Sequence, residues 1–170
     1  MLEKRYGASC VILNNKTAWV VGGILAKSST STELLSINEG VIKGPDLPFE
    51  IWGHCMIKYD ENSIYIIGGQ QNKSVSNKTW IADSSNGFKI REGPTLNVHR
   101  RGHSCGKFEK NGEIVLIVAG GFDQTLQDLD SMEYLIPSTG QGWILGMYTY
   151  VLQYFMIPHN ALYYILFSVY

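Results

Sequence analysis

Three Gly-Gly pairs divide this chain, and each closes a short apolar run: Trp19-Val20-Val21-Gly22-Gly23, Tyr65-Ile66-Ile67-Gly68-Gly69 and Ile117-Val118-Ala119-Gly120-Gly121. The pairs lie about 46 and then 52 residues apart. Self-similarity at that period marks a supersecondary unit that cannot bury its own faces and must stack on its neighbours. This constraint outweighs every other feature of the sequence, because it dictates a repeated scaffold.

Aligned on the Gly-Gly pairs, other residues fall into register. Gly7, Gly53 and Gly102 open the copies. An apolar strand follows each, then a polar turn at Asn14-Asn15, Asp60-Glu61-Asn62 or Lys110-Asn111-Gly112. A second apolar run ends in Gly-Gly, so the pair of runs reads as an antiparallel hairpin. After a polar loop comes a third strand, Thr32–Leu35, Lys78–Ile81 or Ser131–Tyr134. A short fourth strand carries Val41, Phe88 or Trp143, and Gly44-Pro45 and Gly93-Pro94 close the first two copies. Four strands of about five residues match one blade of a β-propeller.

The order of Arg100, Gly102, His103, an apolar run, Gly120-Gly121, Glu133, Tyr134 and Trp143 resembles the kelch repeat. The second copy departs from it, with Ile51 for the arginine, Trp80 for the tyrosine or a nearby aromatic, and Phe88 for the tryptophan. The first keeps Arg5 and the glycines but has Leu34 and Val41 where aromatics are expected. The resemblance implies an all-β fold: a partial kelch-type propeller of three four-stranded antiparallel blades over residues 1–146, split at about 4–48, 49–97 and 98–146. It implies structural roles for Gly22, Gly23, Gly68, Gly69, Gly120 and Gly121. It also makes Arg5 and Arg100 structural hydrogen-bonding partners of the acidic residue near the third strand, and Tyr134 and Trp143 inter-sheet packing.

The 170 residues are 45% hydrophobic and 17% charged with a net charge of −1, the profile of an ordinary globular chain without an electrostatic case for nucleic acid. Cys10, Cys55 and Cys105 each follow a repeat-start glycine inside an apolar run. They read as buried free thiols of a reduced compartment, with Cys10 and Cys105 on the innermost strands. Met1 to Arg5 lead directly into the first repeat with no secretory leader, and the expected location is cytoplasmic. Asn15-Lys16-Thr17, Asn72-Lys73-Ser74 and Asn77-Lys78-Thr79 pull the other way, toward a secreted or membrane-associated glycoprotein.

The repeat pattern stops after Gly146. Residues 147–170 form an apolar non-kelch tail in which Tyr148 to Tyr170 contain no Lys, Arg, Asp or Glu, interrupted by Pro158-His159-Asn160. Three readings compete: a foreign C-terminal segment joined where a fourth blade would begin, a membrane contact, or a cap over an exposed sheet edge. A helical conformation broken at Pro158 is the expected form. Propellers close with roughly four to eight blades, so three imply a fragment of a larger ring.

A repeated surface scaffold points to binding. The expected function is a non-catalytic protein-interaction module that presents loops to a partner protein. The partner-binding candidates are Phe49, Trp52, His99, Arg101 and Phe122, on the connectors between copies and the loops after Gly-Gly. The resemblance brings in actin binding and ubiquitin-ligase adaptors as classes of partner, although adaptors need helical domains that this sequence does not contain. A kelch-like copper oxidase is the enzyme alternative. The sequence carries no nucleophile triad, phosphate loop or His-Glu-x-x-His motif, so neither catalysis nor a cofactor or metal is expected.

Overall fold

A computed structural model of the chain describes residues 1–24 and 29–147. Calls on the tail from residue 148 onward (membrane segment, cap or foreign helix) lie outside the described residues. The described chain is all-β: its helical content is two single 3-10 turns, Ser84–Asn86 and Pro137–Thr139.

Three four-stranded antiparallel sheets form in chain order, each from one repeat. The first holds β1 (Ser9–Asn14), β2 (Thr17–Val21), β3 (Thr32–Ser36) and β4 (Gly40–Lys43). The second holds β5 (Cys55–Lys58), β6 (Ser63–Ile67), β9 (Thr79–Asp83) and β10 (Lys89–Glu92). Between β6 and β9 a small ribbon projects, β7 (Gln70–Gln71) paired with β8 (Ser74–Val75). The third holds β11 (Ser104–Lys110), β12 (Glu113–Ala119), β13 (Ser131–Leu135) and β14 (Ile144–Met147). Met147 pairs with Ser131, so the third sheet runs one residue past the boundary expected at 146.

Burial follows from how many faces each sheet covers. In β6 the run Ile64-Tyr65-Ile66-Ile67 is buried throughout. Ile64 and Ile66 pack toward the first sheet with Trp19, Val21 and Met56. Tyr65 and Ile67 pack toward the third with Leu116, Val118 and Trp143. A strand covered on both faces needs no polar alternation. β1 is covered on one side only, and its burial alternates residue by residue. Each such side chain removed from water stabilises by about 1.5–3 kcal/mol.

The cysteine expectation is overturned. Cys55 and Cys105 form a disulfide that ties β5 to β11, and Cys10 is exposed. The physical reason is register. Cys55 lies opposite Ile67, one residue before its Gly-Gly pair, whereas Cys105 lies opposite Val118, two residues before its own. A shift of one residue sends the two side chains to opposite sheet faces, so they meet between the second and third sheets. Cys10 lies opposite Val20 and shares the register of Cys105, but on the uncovered face of the first sheet.

The two arginines hold the repeat ends together. Arg5 donates to the carbonyls of Gly22 (2.7 Å) and Ser31 (3.0 Å) and to the Glu33 carboxylate (2.7 Å). Arg100 repeats the pattern with Gly120 (2.9 Å), Ser131 (3.2 Å) and Glu133 (3.0 Å). Both ion pairs are buried. The carboxylates take further donors: Glu33 the amides of Leu2 and Glu3, Glu133 those of Asn97 and Val98. Burial pushes the Glu33 carboxyl up, but the Leu2 amide, the Arg5 guanidinium and the Glu3 amide together outweigh it and hold the group below the usual carboxylate range.

The second repeat replaces both charges at once. Ile51 stands at the arginine position, and Trp80, opposite Ile66, takes the register of Glu33 and Glu133 and not that of the tyrosine. Ile51 is fully buried, with Trp80 packed against the same cluster. Trp143 is buried and donates its indole N–H to Pro94 O (3.0 Å) and Thr79 Oγ1 (3.2 Å), joining the third sheet to the second. Phe88 stands outside that register but makes a comparable contact with Trp19, ring centroids 4.3 Å apart. Tyr134 is half-buried on β13.

Removing one partner of a buried ion pair costs about 3–5 kcal/mol, whereas an apolar replacement of both is often neutral. Urea unfolding should therefore show a loss of that size for Arg100→Leu, and recovery of more than half of it in the double variant Arg100→Ile/Glu133→Trp, which copies Ile51 and Trp80. A double variant no more stable than the single one would contradict the exchange. In native, unreduced protein, alkylation should label Cys10 alone. Reduction should lower stability by about 2–4 kcal/mol, the usual contribution of a disulfide, given the 50-residue separation it closes.

Candidate functional site

The site is built where each strand leaves its sheet. The first glycine of each pair still bonds at or just before the third long strand of its own sheet: Gly22 to Ser31 O (3.1 Å), Gly68 to Lys78 O (2.9 Å) and Gly120 to Ser131 O (3.1 Å). The second crosses to the next repeat, with Gly23 donating to Ile51 O and Gly69 to Arg100 O, each at 2.8 Å. A side chain at Gly22 would place its Cβ 2.3 Å from Ile51 O, and φ there is +61°, so glycine is required on both counts.

The repeat-start glycines continue the crossing. Gly53 donates to Gly7 O and Gly102 to Gly53 O, each at 2.7 Å. Immediately before them, Tyr6, Trp52 and Arg101 pair with the residues immediately after Gly-Gly, which are Ile24, Gln70 and Phe122. This brings side chains from three repeats into one row. The Arg101 guanidinium lies 4.7 Å from the centre of the Trp52 ring and donates to the Gln70 side-chain oxygen. Phe122 is 41% exposed and Tyr6 65%.

Of the residues expected to bind a partner, Trp52, Arg101 and Phe122 therefore form one contiguous surface. His99 is exposed beside it, its Nδ1 2.9 Å from Val75 O, and flanks a shallow groove with Val75, Asp123 and Gln124. Gln124 accepts from the Val75 amide and so joins the loop of the third repeat to the ribbon of the second. The exposed Asp123 carboxylate is held below the usual range by the Gln127 amide and the Thr125 hydroxyl and amide. Phe49 does not belong to the surface: it is half-buried, stacks on Trp80 at 4.5 Å and packs against the first inter-sheet cluster. Tyr6 was missed in the sequence, although its place directly before a repeat-start glycine, shared with Trp52 and Arg101, was the available signal.

Directly after those glycines, a second row lies beneath the surface: Ala8, His54 and His103. Their Cβ atoms lie under Gly23, Gly69 and Gly121. Burial pushes both imidazoles down to about 3, and for His103 the neighbouring Arg100 charge and His54 act in the same direction. Among the described residues no three His, Cys, Asp or Glu side chains converge to hold a metal. No protein-family model matches the chain, and no curated protein matches it.

The histidines give the fold a defined pH response. Each folded pKa lies below the unfolded value, so the unfolded chain binds more protons between pH 6.5 and about 3. Their contribution to stability is complete above the unfolded value and is lost as pH falls through that window, by about 1.4 kcal/mol per pH unit for each fully buried neutral histidine. Urea unfolding at pH 7.5, 6.5 and 5.5 should show the decline setting in below 6.5. His54→Ala, which copies Ala8, should reduce the slope to about half, the remainder coming from His103. An unchanged slope in that variant would contradict the assignment.

Proposed function

We propose that the chain is a segment of a kelch-type β-propeller acting as a non-catalytic interaction module, with Tyr6, Trp52, Arg101 and Phe122 as its contact surface for a protein partner. The observation that carries this reading is the continuity of the row. The first two repeats each deliver one large side chain to the same end of the sheets and the third delivers two, and the backbone glycines lie directly beneath the row. Tyrosine, tryptophan and arginine are the residue types that dominate interface energetics. Their stacking on a backbone ladder limits the side-chain entropy lost when a partner binds. The repeated arginine clamp and the cross-repeat glycine bonds support the propeller assignment. The Cys55–Cys105 disulfide favours a secreted or membrane-tethered form of the module, because such bonds persist in non-reducing surroundings.

Affinity capture with the full chain as bait tests the surface. Proteins retained by the native chain should be lost at least about thirtyfold by Trp52→Ala and by Arg101→Ala, the factor expected for a hot spot of about 2 kcal/mol. They should be kept by Glu39→Lys, on an exposed turn at the far end of the first sheet. Equal retention by all variants, with unfolding curves intact, would sink the proposal.

A further inference from the structure

The three glycosylation-type triplets occupy two different structural settings. Asn15-Lys16 is the two-residue loop between β1 and β2, with Asn14 paired to Thr17 across it. Asn72-Lys73 is the two-residue loop between β7 and β8, with φ of +48° and +69°, as a tight hairpin turn requires. In both, the asparagine is exposed at the tip, and the hydroxyl residue, Thr17 or Ser74, is the first of the returning strand. Asn77 differs. Its amide nitrogen donates to Leu96 O at 3.1 Å, and Thr79 is 1% exposed, with its hydroxyl accepting from Trp143.

We propose that Asn15 and Asn72 carry N-linked glycans and that Asn77 does not. A glycan is bulky and solvated, and it fits a surface turn. On Asn77 it would replace one hydrogen of the half-buried nitrogen that bonds Leu96 O, and the Thr79 hydroxyl of that triplet is buried against the Trp143 indole. In the transfer, the asparagine amide nitrogen attacks the anomeric carbon of a lipid-linked oligosaccharyl diphosphate. A nitrogen–carbon bond forms, the bond from that carbon to the diphosphate oxygen breaks, the amide releases one proton and the lipid diphosphate departs. The inference rests on the non-reducing address given by the disulfide. In closing that bond, two thiols pass two electrons and two protons to a disulfide oxidant, which becomes two thiols. Asn72 lies on the ribbon that lines the His99 groove, so its glycan stands at the rim of the contact surface, whereas Asn15 lies at the opposite end of its sheet.

The test uses the protein recovered by antibody from the cells that make it. Enzymatic deglycosylation in isotopically labelled water should convert Asn15 and Asn72, but not Asn77, to labelled aspartate. Alkylation without reduction should reach Cys10 alone. Thr17→Ala and Ser74→Ala should each remove one glycan's mobility shift and leave the β-sheet circular dichroism unchanged. Unmodified Asn15 and Asn72 in disulfide-bonded protein, or a modified Asn77, would overturn the site assignment. Alkylation of Cys55 and Cys105 without reduction would overturn it through the address. Neither result bears on the capture experiment with Trp52 and Arg101.

Discussion

The amide of the second glycine in the first two pairs, reaching across to the next repeat, is the bond on which the arrangement depends. Gly23 to Ile51 and Gly69 to Arg100 join successive sheets at the point where the chain turns out of one and into the other. The Gly7–Gly53–Gly102 ladder runs alongside. Together these bonds satisfy backbone groups that would otherwise be buried without partners, which costs about 1–3 kcal/mol each. They also set the distance between sheets, so the Ile, Val and Trp side chains between them meet at close packing.

That junction is closed in two chemically different ways. In the first and third repeats an arginine spans the Gly-Gly carbonyl, the third strand and a carboxylate. In the second, Ile51 and Trp80 fill the same positions with apolar volume. Paired charges and paired hydrophobes are both acceptable there, and a half-replaced pair is not, because a lone charge at 0% exposure has no water to turn to. The concerted exchange accounts for two of the second repeat's departures, at Ile51 and Trp80, while the strand order stays the same.

The surface follows from the junction. Because the glycines bring the backbones together, the residues that flank them are pushed outward on one side and inward on the other. Tyr6, Trp52 and Arg101 emerge, whereas His54 and His103 are buried and Ala8 is half-buried. Surface and pH response thus arise from adjacent residues of one motif. The disulfide between β5 and β11 fixes the two sheets that carry Trp52 and Arg101 relative to each other.

The spacing of Gly-Gly pairs, apolar runs and turn residues determined the strands, their antiparallel order and the division into three sheets, because these are local consequences of periodicity and turn chemistry. The pairing of Arg5 and Arg100 with acidic residues was implied by the family resemblance and not by periodicity. Only tertiary structure decided the rest. Whether Cys55 meets Cys105 depends on a one-residue difference in register between two strands some fifty residues apart. Whether Phe49 binds a partner or stacks on Trp80, and whether Asn77 is open like Asn15 and Asn72, depends on which neighbouring sheet covers each position. A sequence lists what one strand offers to each face; which face is covered is settled by the sheet that packs on it.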